Sequence, residues 1–328
     1  MAGFVARRIA LMIPTVIAIS VMTFTIMQLA PGDFLTSLVA GMASQGESVS
    51  QASIDALRDR YGLGQPAHVQ YLKWISGIVL RGDFGQSFEW NRPVASLIWD
   101  RMGFTLLLSL GTLTFTWVFA FAVGVYSAVR RYSVADYVLS FLAFLGLAVP
   151  GFLIALVLLY VSAHFFNQSV GGLFSPQFEE APWSGAKVLD LMQHLWIPII
   201  IIGLSQTASL VRIMRANLLD ELHKPYVVTA RAKGLPEHRL LLKYPVRMAI
   251  NPFVSTVGWS LPALVSGEAI VAIVLSLPTT GPLLVRALQS KDMYLAGSFI
   301  LLLSTLTVIG TLISDVALAW LDPRIRYQ

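Results

Sequence analysis

The chain contains no cysteine, which excludes a disulfide framework, a thiolate metal site and a cysteine nucleophile. It is also poor in charge: Asp, Glu, Lys and Arg make up 12% of its 328 residues, against about 25% in soluble domains. No Gly-x4-Gly-Lys-Ser/Thr phosphate loop occurs, so the commonest nucleotide cradle is absent. A Gly-x-Ser-x-Gly nucleophile turn is missing too, which argues against a hydrolase or acyltransferase working inside a membrane. The five histidines (His68, His164, His194, His223 and His238) are scattered without metal-ligand spacing. The sequence has no tandem repeat and no low-complexity tract.

Apolar residues take the place of charge, at 56% of the chain. A bilayer core about 30 Å thick needs roughly 20 apolar residues per helix. Six segments meet that need: 9–29, 104–129, 138–166, 195–211, 249–277 and 293–321. The expected fold is therefore an all-α membrane protein with six transmembrane helices. The fourth segment is short and carries Ser205, Gln206, Thr207 and Ser209. The fifth contains Asn251, Pro252, Pro262 and Glu268 and is expected to be broken or bent.

The net charge of +5 is distributed by side rather than gathered into a nucleic-acid patch. With the N-terminus inside, residues 1–8, 130–137, 212–248 and 322–328 lie in the cytoplasm and hold 14 of the 23 Lys/Arg but only 5 of the 18 acids. Cytoplasmic loops favour Lys and Arg in this way, so both termini are expected inside. Arg7 and Arg8 before an apolar run also suit a secretory leader. That run is long, and Pro31-Gly32-Asp33 follows it in place of a small-x-small cleavage site, so the first span is expected to be retained. Residues 1–103 then comprise the first span and a long extracytoplasmic loop, with a short helix expected near 51–61. Residues 104–328 form a five-span core.

The cytoplasmic loop 212–248 is the informative one. Pro225 suits the first turn of a helix, and Gly234 suits the left-handed residue that closes one. Pro236 and Glu237 can then open a second helix. Tyr226, Val227 and Ala230 fall on one face, with Arg231 and Lys233 outside it. Two readings stand: a basic loop lying on anionic lipid, or a docking element for a soluble partner. The small residues Thr229, Ala230 and Ala232 favour docking, because a lipid-surface helix would place Trp, Phe or Leu there.

These residues resemble a known family. The run Tyr226-Val227-Val228-Thr229-Ala230-Arg231-Ala232-Lys233-Gly234-Leu235 is similar to the cytoplasmic "EAA" loop of binding-protein-dependent ABC permeases, in the version of the dipeptide/oligopeptide/nickel branch. The resemblance continues in Leu29-Ala30-Pro31-Gly32-Asp33, Tyr61-Gly62-Leu63, Pro66, Gln70-Tyr71, Gly82-Asp83-Phe84-Gly85-Gln86-Ser87 and Asp322-Pro323-Arg324-Ile325-Arg326. It covers essentially the whole chain. Two departures bear on the solute. Where the family carries Glu and then Phe after the fifth span, Ala272 and Leu275 stand here, and its Pro-Gly-x-Gly turn reads Pro278-Thr279-Thr280-Gly281.

The resemblance implies a pore-forming subunit in a bacterial inner membrane, not itself an enzyme, importing peptides or similar oligomeric solutes. It implies a second homologous permease, two cytoplasmic ATPase subunits that bind ATP and Mg, and a periplasmic solute-binding protein. This chain would hold no cofactor. Coupling to the ATPases would fall to Tyr226, Val227, Thr229, Ala230, Arg231, Ala232, Lys233 and Gly234. For the translocation path the residues offer Gln206, Ser209 and Glu268, although polar groups in a span also serve as interhelical glue. Asp315 is an acid at membrane depth that either serves function or pairs with a neighbouring helix. Oligosaccharides, opine-like conjugates and metal chelates are alternative solutes. An ion-coupled secondary transporter is the rival class, but it would call for internal symmetry that the sequence does not display.

Overall fold

The computed structural model describes residues 2–29, 65–87, 89–166, 171–256 and 269–321. Among the described residues the regular structure is helical, apart from one isolated bridge between Gln86 and Pro93. The expected helix at 51–61, Glu268 and the Asp322–Arg326 ending lie outside the described residues.

Helix α1 spans Ala2–Leu29 and α2 spans Ala67–Arg81. The long α3 covers Val94–Val129, followed by α4 at Val134–Ala148 and α5 at Gly151–Phe166. Helix α6 runs from Gly185 to Leu222. Short helices follow: α7 at Pro225–Ala232, α8 at Glu237–Lys243, α9 at Pro245–Ala249 and α10 at Asn251–Ser255. Then come α11 at Ala269–Val274, α12 at Thr280–Gln289 and α13 at Met293–Leu321. Helices α1, α3, α6 and α13 are each long and apolar enough to cross a bilayer, and α4 with α5 passes the same test as a bent pair.

Two sequence expectations need correction. The third segment is not one straight span: α4 and α5 meet at 98°. The cause is local, because Pro150 forces the residue before it out of the helical region, and Val149 sits at φ −94°, ψ 122°. The fourth segment, expected at 195–211, is the middle of a 38-residue helix, about 57 Å long at 1.5 Å per residue. Apolar length alone missed its polar ends. Ser184 caps the start by accepting from the Lys187 amide at 3.2 Å. That length exceeds a bilayer core of about 30 Å, and its C-terminal end leads into α7.

The heart of the fold is the α3–α6 pair. Gly124 lies where a Cβ would come within 2.7 Å of Met214, and Gly203 where it would come within 2.8 Å of Phe115. Small residues at such points let two membrane helices approach and gain dispersion contacts. Met214 and Leu218 of α6 pack there with Ala120 and Ala128 of α3 and with Val246, Ala249 and Phe253 of α9 and α10. α1 lies along α13, and amphipathic α2 covers them from one side through Trp74 on Phe24 and Leu301. The Tyr71 hydroxyl and Ser20 share a hydrogen bond of 2.7 Å there. Outward-facing side chains of α4 and α5, such as Phe141, Phe144, Leu156 and Val157, remain exposed. Lipid tails solvate such a surface without penalty.

Polar ties brace α3, α12 and α13. Thr105 Oγ1 accepts the Thr280 amide at 2.9 Å, inside the Thr-Thr turn that departs from the family pattern. Buried Asp292 accepts from the Ser87 hydroxyl and the Glu89 amide, joining the loop before α3 to the start of α13.

Candidate functional site: a helix–glycine–helix unit after α6

The unit begins where α6 ends. Helix α7 has Pro225 at its first turn and closes at Gly234, whose φ is +76°. Its last carbonyls are satisfied by the turn: the Lys233 amide donates to Thr229 O at 3.1 Å and the Gly234 amide to Arg231 O at 3.0 Å. A Cβ on Gly234 would meet nothing within 4 Å. Glycine is required there by the backbone conformation, not by crowding. Pro236 then precedes α8, as the sequence pattern anticipates.

The two short helices form a miniature core. Val227 and Leu240 are fully buried and Ala230 nearly so, with Leu235 and Tyr244 packed alongside. Burying an aliphatic side chain of this size contributes about 1.5–3 kcal/mol, enough to hold α7 against α8 as one body. Tyr226 lies at the edge of that face, its ring centroid 6.4 Å from that of Tyr244. It is 39% exposed, and its hydroxyl donates to the Glu221 carboxylate at the end of α6. Burial and that acceptor raise the phenol's pKa above its ordinary value, so the tie persists through physiological pH.

Across Gly234, Arg231 meets Glu237 with a fork-on-fork pair: Nη2 to Oε1 at 2.6 Å and Nε to Oε2 at 3.1 Å. The guanidinium holds the Glu237 carboxyl below its usual range. Both side chains are about half exposed, so solvent screening leaves the pair worth little to stability. Its effect is to fix the angle between α7 and α8. Val228, Thr229, Arg231, Ala232, Lys233 and Gly234 are exposed. They leave one side of the unit open while Val227 and Ala230 anchor the other.

This geometry can be set beside known proteins. Residues 120–327 match the family model described as "Binding-protein-dependent transport system inner membrane component", and residues 1–110 match the one for the N-terminal part of such membrane components. The chain belongs to that family. Among its relatives, the oligopeptide transport system permease AppB of Bacillus subtilis is 35% identical over 329 residues, covering all of both chains. A putative peptide permease of Brucella ovis is 33% identical over 99% of each chain. The glutathione transport system permease GsiC of Salmonella choleraesuis is 32% identical over the full length of both.

Elsewhere in the permease, Ser205, Gln206 and Ser209 are half-buried on α6, on the side that continues to exposed Arg212 and Ala216. Buried Met214 and Leu218 lie on the opposite side. Thr207 turns back instead, donating to Gly203 O at 2.7 Å. Ala272 and Leu275, at the family's acid and aromatic positions, are buried in the apolar core. Asp315 pairs with Arg8 of α1 at 3.3 Å, which is the neighbouring-helix alternative. A cavity of about 890 Å³ opens between α5 and α6, lined by Ser162, Ser175, His194 and Trp196 among others.

Sequence reasoning missed one buried contact altogether. Asp136 of α4 accepts from Arg215 of α6 through Nε at 3.1 Å and Nη2 at 2.9 Å. The pattern Ser133-x-x-Asp136 signals a helix start, but nothing local names a partner 79 positions away.

Proposed function

We propose that this chain is one of two pore-forming subunits of an ATP-driven importer that moves peptides from a periplasmic binding protein into the cytoplasm. The observation that carries the reading is the α7–Gly234–α8 unit. It is a rigid body with an open side, in a chain matched end to end by permeases named for oligopeptides and glutathione. A second homologous permease and two cytoplasmic ATPase subunits complete the assembly, and the ATPases bind ATP and Mg.

In this reading the chain crosses the bacterial inner membrane six times and keeps both termini on its cytoplasmic face. The expected fifth span, 249–277, includes α10 and α11. The ATPase subunits dock on the open side of α7, against Thr229, Arg231, Ala232 and Lys233, and their closure displaces the unit as a lever. Val227, Ala230 and Gly234 keep the lever stiff, and Tyr226 ties it to α6. Gln206, Ser209 and Glu268 contribute to the path. Such a device has two stable states biased by nucleotide and by the loaded binding protein.

The test is reconstitution. A tag on this chain should co-purify a second permease and two ATPases, and liposomes holding the complex should take up peptides when ATP and the binding protein are present. Uptake driven by an ion gradient without ATP would instead establish a secondary transporter.

A further inference from the structure

The lever moves the end of α6, yet the pore walls include helices that α7 does not touch. Something has to transmit the displacement sideways. Apolar contacts between α6 and α4 exist; Gly146, for example, lies where a Cβ would come within 2.7 Å of Leu204. Contacts of that kind are non-directional and permit sliding. The Asp136–Arg215 pair is different in kind.

Asp136 is 2% exposed, and its carboxylate is saturated. One oxygen takes Arg215 Nε at 3.1 Å and Ser140 Oγ at 3.3 Å; the other takes Arg215 Nη2 at 2.9 Å and the Tyr132 amide at 3.0 Å. The Asp136 amide in turn donates to Ser133 Oγ at 3.1 Å, so the residue is fixed in the first turn of α4. Arg215 sits seven positions before Leu222, the last residue of α6, two helical turns from the joint with α7. A bidentate guanidinium–carboxylate pair has directional geometry that resists sliding and rotation alike. Stability alone does not call for it, because apolar residues of similar volume often serve as well as a buried ion pair.

We propose that Asp136 and Arg215 are positioning residues that lock the start of α4 to the inner end of α6, so that the lever's displacement passes into the bent α4–α5 pair. The proposal rests on the importer reading and adds the route of the movement. Removing both charges together tests it, since Asp136→Asn with Arg215→Gln leaves no buried charge without a partner.

The absence of cysteine in the native chain allows spin labels at Tyr137→Cys and Leu242→Cys, both exposed positions, in the assembled complex with its ATPases. With the native pair, the distance between labels should stay constant between nucleotide-free and vanadate-trapped states. In the double variant it should shift by about 5 Å, one helical turn. In liposomes given the binding protein and radiolabelled tri- to pentapeptides, uptake per ATP hydrolysed should fall about tenfold, the size of an ordinary coupling between sites. Basal ATP hydrolysis should be unchanged. Arg215→Lys, which keeps the charge and loses the fork, should fall between.

A double variant that keeps the constant distance and native uptake per ATP overturns the proposal. So does one that fails to assemble, which would make the pair an anchor of the fold. Absence of ATP-driven uptake with the native chain would instead sink the importer reading.

Discussion

Arg231 and Glu237 grip each other across Gly234, two hydrogen bonds of 2.6 and 3.1 Å spanning the one left-handed residue between α7 and α8. A flexible residue and a rigid clamp thus occupy the same corner. Glycine supplies the backbone conformation and the ion pair bridges the two helices across it, so α7 and α8 are held as one piece. Several consequences are measurable.

Replacing Gly234 tests the backbone conformation itself. A β-branched residue at φ +76° costs about 1–2 kcal/mol in strain, whereas asparagine visits that region more readily. Gly234→Val should reduce peptide uptake per ATP, and Gly234→Asn should retain most of it. Space is open around the site, so equal behaviour of the two variants would rule out the conformational explanation.

The miniature core should be sensitive out of proportion to its size. Leu240 is wholly buried, and leucine-to-alanine changes in cores cost about 2–5 kcal/mol. Leu240→Ala should free α7 from α8, visible as faster amide hydrogen exchange over residues 225–243 and as loss of ATPase subunits during purification. Val228→Ala, on the exposed side, should leave exchange unchanged.

The clamp carries a pH signature. The folded pKa of Glu237 is depressed by Arg231, so its contribution is fully present above the ordinary carboxylate pKa and is lost as pH falls through the lower folded value. Exchange protection at Gly234 and Leu235 should be flat from pH 8 to 6 and decline only in the acid range. Glu237→Gln should abolish that decline. Both groups are half exposed, so the loss in stability should stay below about 1 kcal/mol.

At the α3–α6 crossing, Gly124→Leu would drive a side chain into Met214 and the Val211 carbonyl. Overpacking of this sort costs about 1–3 kcal/mol or more. A lowered Tm in detergent should result, and a partial rescue by Met214→Ala would place the clash at that contact.

The sequence made the inner unit legible because its signals are local. Pro225, Gly234 and Pro236 each constrain their own backbone, and the structure places helix, left-handed turn and helix where those residues require. The last span was equally readable, because 29 consecutive apolar-rich residues have one stable form in lipid. Helical spacing puts Tyr226 beside Val227 and Ala230 but is silent on its tie to Glu221, which lies at the end of another helix.

What the sequence by itself determined is the solvent, the helical class and the positions of backbone punctuation, all governed by composition and by steric rules acting over a few residues. Tertiary structure alone decided that α4 and α5 meet at 98°, that Asp136 finds Arg215, and that Asp315 finds Arg8. Pro150 announces a break, but its angle depends on what the two halves pack against. An ion pair between distant positions forms only when the fold brings the two groups within about 4 Å, a separation that no local sequence signal reveals.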